Sequence, residues 1–415
     1  MSETTAPAIA PAIDWWTMLT DPDYLANPHP DLKRIREMGP VHLDAPSGIY
    51  FVLGHEAFNA MVRAPEMGRD TRAWTNGWSR PESKARDPLS FELFSEFQRQ
   101  MVNADQPDHR RMRDVYEKAF RPAEIPSLRP MIEAEARKLA DELPEGEPVD
   151  FMTSFANHLP LRVVRNLFRI SPDMDPALAR WNAALVKIGD IMMSQEQKRE
   201  ALEALRAYKA FLREHLEAER GNGENRLIAL ALEALDDGTM DEDETLNNLK
   251  GLVSGNETTV NVLGNGLLTL IDNPSEFERL RANPDLMRTA IEEMMRYEPA
   301  INFILRVALK DFELNGMTLP AGSLALGLIC AINRDPARFA DAETFDVSRR
   351  PNAQVIFGGG PHVCIGAALA RLEVDVALTV LMERFSRIEL AGDPVWWTDR
   401  TNQRGLESLP VRLWR

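Results

Sequence analysis

Only two of the 415 residues are cysteine, Cys330 and Cys364, and they stand far apart. That excludes a disulfide framework and fits a reducing, cytoplasmic setting. No apolar run reaches the ~18 residues needed to span a bilayer. No basic segment followed by an apolar one opens the chain, so neither a membrane anchor nor secretion is expected. Positive charge is short as well: 48 Lys and Arg against 64 Asp and Glu leave a formal net charge of −16. Nucleic-acid binders rest on neutralising phosphates, so no nucleic-acid partner is expected. A Ser/Gly-rich linker, low-complexity stretches within the body and internal repeats are all missing. We therefore expect one domain over residues 15–415, behind a small, Pro-rich tail at residues 1–14 that reads as disordered.

What is present is mostly helical periodicity. Ile49–Leu53 reads as a strand and His55–Val62 as a helix. Residues 64–104 have poor periodicity and many Pro, Trp and Arg residues, and are expected to form one long mobile connection, of the kind that serves as a lid or binding loop. From Pro107, tolerated at a first helical turn, helices are expected over Asp108–Phe120, Ile125–Leu143, Phe151–Phe168 and Glu196–Arg220. The proline-free run Asp241–Asn273 would be roughly 45–50 Å long as one helix at 1.5 Å per residue. Its middle, Ser254-Gly255-Asn256-Glu257-Thr258-Thr259, gathers poor helix formers and should bend or open it. This patch reads either as a close helix crossing at Gly255 or as a pocket with an acid and a hydroxyl pointing in. Asp285–Tyr297 is a further helix, Leu305–Leu314 and Leu324–Ile329 are strands, Asp335–Gln354 is irregular, and Ile388–Trp414 holds short strands and turns. The order is mainly α with small β-sheets, not alternating βαβ, which disfavours a doubly wound nucleotide-binding fold.

The most specific stretch is Phe357-Gly358-Gly359-Gly360-Pro361-His362-Val363-Cys364-Ile365-Gly366. It frames a cysteine with glycines and runs into Ala367–Phe385, read as a strongly amphipathic helix. A cysteine just ahead of a helix start, in a loop that can approach a flat ligand, is a candidate thiolate ligand. Cys330 has no such frame and reads as a core residue. The loop resembles the cysteine signature of the cytochrome P450 superfamily, Phe-Gly-x-Gly-x-His-x-Cys-x-Gly, matched at Phe357, Gly358, Gly360, His362, Cys364 and Gly366. The resemblance implies haem b held through Cys364, in the triangular prism of that fold with its long central helix over the haem. Phe357 is then expected to shield the sulfur, and Gly358 and Gly366 to let backbone pass close to the porphyrin.

Other segments resemble the same family in the same order. Glu293 and Arg296 match its Glu-x-x-Arg pair and, with Arg349, imply a structural Glu-Arg-Arg network. Gly255, Glu257, Thr258 and Thr259 match its central-helix motif, with Ser254 in place of the usual Ala or Gly. That implies catalytic roles for Thr258, hydrogen-bonding dioxygen or a nearby water, and for Glu257, relaying protons. Around Asp105-Gln106-Pro107-Asp108-His109 the family usually has Pro where Gln106 stands. His109 and Arg113, four apart on one helix face, then imply a haem-propionate site together with Arg306 and His362.

By the same resemblance the chain is a soluble, bacterial-type monooxygenase. It would insert one atom of dioxygen, its co-substrate, into a small and mostly apolar molecule. Electrons would come from an iron–sulfur ferredoxin and its NAD(P)H-dependent reductase. Arg110, Arg111, Lys118, Arg350 and Arg371 are the candidate docking patch on an otherwise acidic chain. Trp74, Trp78, Leu252, Val253, Ser254, Ile301 and Phe303 are expected to wall the substrate pocket, and Asn302, Asn402 and Gln403 either to offer it polar contacts or to be satisfied by backbone. A peroxide-driven peroxygenase and a haem-binding sensor without turnover remain alternatives. The first typically lacks the acid–threonine pair found here, and the second has no output segment in this chain.

Overall fold

The computed structural model describes residues 13–223 and 225–415. Of the tail expected over residues 1–14, all but Ile13 and Asp14 lie outside the described residues. Asp14 is already structured: its side chain accepts the Thr17 N–H and caps the helix Trp15–Thr20.

The centre of the molecule is the helix Asn256–Asp272, buried at every position from Thr259 to Leu270. A helix enclosed on all sides must satisfy its polar side chains internally. Asn261 donates to the Gln403 side chain at 3.0 Å, Asn265 to the Arg404 carbonyl at 3.1 Å, and Thr269 to the Asn265 carbonyl at 2.7 Å. Around it pack Leu159–Phe168, Met287–Tyr297 and the helix after the cysteine loop, Ala367–Arg384, in the largest apolar cluster. That last helix was expected to be amphipathic. Its second half is buried on more than one side, at Val374, Val376, Ala377, Leu378, Val380 and Leu381.

The run Asp241–Asn273 is not one helix. Glu242–Val253 ends in a turn at Ser254 and Gly255, and Asn256–Asp272 starts again beyond it. The expected weak patch is thus a real break. The first half is well started, by a capping box in which Asp241 and Glu244 each accept the other's backbone N–H.

Residues 64–104 are not one mobile connection, because they contain the helices Pro81–Arg86 and Pro88–Phe97. Proline suits both starts: it has no N–H to leave unpaired in the first turn, and its φ is already helical. The pattern from Pro107 to about Ile271 reads as almost wholly helical, and the helices Asp175–Leu185 and Arg226–Asp236 fall within it; the helix Pro274–Ala282 was not anticipated. Pro176 and Pro274 open two of them, and the Asn225 side chain caps the third.

The sheets are small. The largest orders its strands Val41–Asp44, Ile49–Val52, Leu324–Leu328, Phe303–Ala308 and Met67–Gly68, with the second and third parallel. The single strand expected over Leu305–Leu314 divides, and Phe312–Leu314 pairs instead with Met317–Leu319. A three-stranded sheet joins Pro148–Asp150, Pro410–Trp414 and Arg387–Leu390. Among the described residues no helix is long and apolar enough to cross a membrane.

Glu293 and Arg296 are both fully buried and paired at 2.7 and 2.8 Å. Arg349 donates to the same carboxylate at 2.9 Å and Asn352 at 3.0 Å. Arg296 spends its other N–H groups on the carbonyls of Asn333, Ala342 and Thr344. The network therefore fixes the irregular 335–354 segment, which has no helix or strand of its own. Breaking a buried pair leaves a bare charge and costs about 3–5 kcal/mol. Arg296→Met should lower the urea unfolding free energy by that order, and a loss below 1 kcal/mol would show that the network is dispensable.

Candidate functional site

Two glycines shape the cysteine loop. Gly358 and Gly360 have φ of +70° and +65°, where side chains are strained. A Cβ on Gly360 would also meet the Val62 carbonyl at 2.3 Å. With those turns made, the Cys364 N–H returns to the Phe357 carbonyl at 3.0 Å and closes the loop. Arg113 reaches across from the helix Asp108–Glu117 and donates to the Val363 carbonyl at 2.8 Å. The Arg371 guanidinium lies over the Phe357 ring at 4.4 Å.

Cys364 opens onto a cavity of about 340 Å³ while protein crowds it on other sides. Burial pushes its thiol up; the N–H groups of Gly366 and Ala367 and the charges of Arg113 and Arg371 pull it back. Those groups all favour a thiolate. The opposite wall is the broken central helix, with Gly251, Leu252, Gly255, Thr258 and Thr259. The Thr258 hydroxyl donates to the Gly255 carbonyl at 3.2 Å, at the first turn of the second half-helix.

One end of the cavity is cationic. Arg306, only 2% exposed, and His362 line it, and His109 lies against His362 with ring centres 4.0 Å apart. Burial and their mutual repulsion hold His109 down to about 4 and His362 to about 2, and Arg306 falls to about 9. Gln106, the departure from the usual proline, bonds His109 Nδ1 at 3.1 Å. If its amide N–H is the donor, His109 Nε2 carries the ring proton and is free to donate. The Arg306 Nε has no hydrogen-bond partner among the described residues. Arg69 joins this end of the cavity and was not anticipated; its side-chain contacts lie 33 and 236 residues away in sequence, so no local pattern marks it.

The family model for cytochrome P450 matches residues 79–413. The chain belongs to the cytochrome P450 family. It is similar to the polyketide biosynthesis cytochrome P450 PksS of Bacillus subtilis, with 33% identity over 93% of this chain and 96% of the relative. It is likewise 33% identical to the cytochrome P450 monooxygenase PikC of Streptomyces venezuelae, over 95% and 92% of the two chains. The crystal structure of P450BioI in complex with an acyl carrier protein ligated to hexadec-9Z-enoic acid superposes with a TM-score of 0.86 at 29% identity, covering 94% of this chain and all of that one. As a cytochrome P450 the chain is an oxidoreductase of the monooxygenase type, and the family implies haem iron ligated by a cysteine thiolate.

The residues present fit that group. A thiol facing the cavity among N–H donors and guanidinium groups suits an iron ligand. A buried guanidinium with an orphaned N–H, beside two histidines held neutral, suits a carboxylate-bearing edge.

Several expected positions fall elsewhere. Leu252 and Ile301 line the cavity, but Val253 and Phe303 are buried in other parts of the core. Ser254 caps the first half-helix and is not on the wall. Asn302 donates to the Thr401 carbonyl at 3.0 Å, Gln403 accepts from Asn261, and Asn402 packs against Gly189, so none of the three reaches the cavity. Trp74 packs against the N-terminal core and Trp78 against Phe91 and Phe94. Glu257 does not share the Thr258 direction, since adjacent helical residues are rotated by about 100°. Its carboxyl lies in the field of Arg400 and Tyr208; burial pushes it up and Arg400 pulls it back. The basic patch is largely spent: Arg110 pairs with Asp114, Arg111 with Glu244, and Arg371 with Glu292, leaving Lys118 and Arg350.

Lys250, next to cavity-lining Gly251, is 2% exposed; its ammonium donates to the Gln100 side chain at 3.1 Å and sits 4.1 Å over the Phe97 ring. Burial pushes its ammonium from 10.5 down to about 7. Between those values the unfolded chain holds the extra proton, so stability from this residue rises with pH there, by up to about 1.4 kcal/mol per unit. Unfolding titrations from pH 7 to 9.5 should show wild type gaining on Lys250→Met as pH rises. A constant gap would place a charged lysine in the fold.

Proposed function

We propose that this cytochrome P450 hydroxylates, O- or N-dealkylates, or epoxidises a small, mostly apolar organic molecule, using dioxygen and two electrons from a ferredoxin fed by an NAD(P)H-dependent reductase. The observation that carries the reading is one cavity with Cys364 on one wall and the open helix at Gly255–Thr258 on the other. Haem b bound there supplies the oxidising chemistry, a thiolate ligand favouring cleavage of the O–O bond.

The side chains divide the remaining work. Cys364 offers the thiolate, and the N–H groups of Gly366 and Ala367 temper its charge. Arg113, Arg306, His109 and His362 hold the propionates. Phe357 shields the sulfur under Arg371. Thr258 holds a proton at its hydroxyl, facing the cavity, and can turn it from the Gly255 carbonyl to an acceptor in the cavity. Glu257, whose carboxyl is pushed up by burial, takes protons on the Arg400 and Tyr208 side and passes them through water at the break. With Asn302 and Gln403 bonded elsewhere and Asn402 off the cavity wall, Leu252, Val102 and Ile301 select substrate by shape and apolar contact. Lys118 and Arg350 are the cations of the patch without an ion pair among the described residues, left for a ferredoxin in the cytoplasm.

Two outcomes follow. Thr258→Ala should keep haem binding and NAD(P)H consumption while diverting most reducing equivalents to hydrogen peroxide; a mutant that stays fully coupled would remove Thr258 from the relay. In a ligand screen read by the spin-state shift of the Soret band, a bare hydrocarbon should bind at least as tightly as its alcohol or ketone. Consistent preference for the oxygenated partner would point to a polar anchor in the pocket.

A further inference from the structure

We propose that Arg69 is a third guanidinium for the carboxylate edge of the haem, and that through this contact it latches the segment 98–105 over the cavity. The inference rests on the haem reading above.

Arg69 follows the short strand Met67–Gly68, which pairs with Phe303–Ala308 beside Arg306. Its side chain joins two separate walls: Nε donates to the Val102 carbonyl at 3.0 Å and Nη1 to the Leu305 carbonyl at 3.1 Å. Nη2 has no hydrogen bond among the described residues, although Arg69 lines the cavity together with Arg306, Val102 and His362. The nearest carboxylate is Asp105, and it is committed to backbone. It accepts the N–H of Arg69 at 2.6 Å and of Asp70 at 3.2 Å, in a position that a Cβ on Gly68 would block at 2.4 Å. Two guanidinium groups therefore face one end of the cavity, each with an N–H to spare and, among the described residues, no carboxylate hydrogen-bonded to it; Asp105 acts on both only through its field. Burial and Arg69 together hold Arg306 below its usual range. Like charges in that position are stabilised by an anion, and a planar ligand with two carboxylates supplies it.

The link to the segment is direct. The Val102 backbone is held by Arg69, the Met101 N–H goes to Asn248 at 2.9 Å, and Gln98 bridges Asp70 and the Asn103 carbonyl. Fixing the Arg69 guanidinium on a carboxylate fixes the carbonyl it holds, so the rim of the cavity should be quieter with haem bound.

The test compares haem with haem dimethyl ester, whose carboxylates are masked, in wild type, Arg69→Gln and Arg69→Lys. Haem loss to apomyoglobin is one readout and amide hydrogen exchange over residues 98–105 the other. Arg69→Gln should lose haem about tenfold faster than wild type, the equivalent of one charge-assisted hydrogen bond. It should lose the dimethyl ester no faster, and should exchange faster at 98–105 only with free haem bound. Arg69→Lys, with charge but no fork, should fall between, and it carries the comparison if Arg69→Gln does not fold. Equal acceleration for both haem forms would make Arg69 a backbone staple and overturn the proposal, as would unchanged loss. Failure of the wild type to bind haem would instead overturn the reading on which the proposal rests.

Discussion

The hydrogen bond from the Cys364 N–H to the Phe357 carbonyl is the constraint on which the site depends. It closes a loop that only left-handed turns at Gly358 and Gly360 permit, and so aims the sulfur into the cavity. The following helix start then brings the Gly366 and Ala367 N–H groups to the sulfur. Arg113 secures the loop from outside through Val363, and its charge acts on His109 and His362 at the cationic end of the cavity. Sulfur ligand and carboxylate clamp are thus positioned by the same few backbone contacts.

The opposite wall is built by the contrary device, a failure of regular structure. The run Asp241–Asn273 breaks at Ser254 and Gly255, beside the cavity, and the helix beyond it, Asn256–Asp272, is continuous along its buried length. Buried charge is handled in the same economical way. Glu293, Arg296 and Arg349 meet their hydrogen-bonding needs inside the protein and hold a long irregular segment. Arg306, by contrast, keeps an N–H unsatisfied. That difference separates a structural network from a binding site, because the second is completed only by a ligand.

Much of this was legible in the residues. Glycine spacing around Cys364 and the cluster of poor helix formers near Thr258 are local signals with local causes, and both led to the right backbone. The helices opened by Pro81 and Pro88 were hidden because those prolines were read as part of an aperiodic connection, where they mark helix starts. Side-chain direction was less accessible. Glu257 and Thr258 are neighbours in sequence, yet only the packing of the helix decides which one meets the cavity. Asn302 and Gln403 looked available because their partners, the Thr401 carbonyl and Asn261, meet them only in the fold, and Asn402 because only the fold packs it against Gly189. Arg69 had no sequence signal for the same reason.

The central claim is that Cys364 ligates haem iron as a thiolate. The most direct measurement is the absorption spectrum of the reduced carbon monoxide complex of the haem-loaded protein. The account predicts the strongly red-shifted Soret band of a thiolate-ligated haem, abolished by Cys364→His without loss of haem. A band at the ordinary histidine-ligated position in the wild-type protein would contradict it.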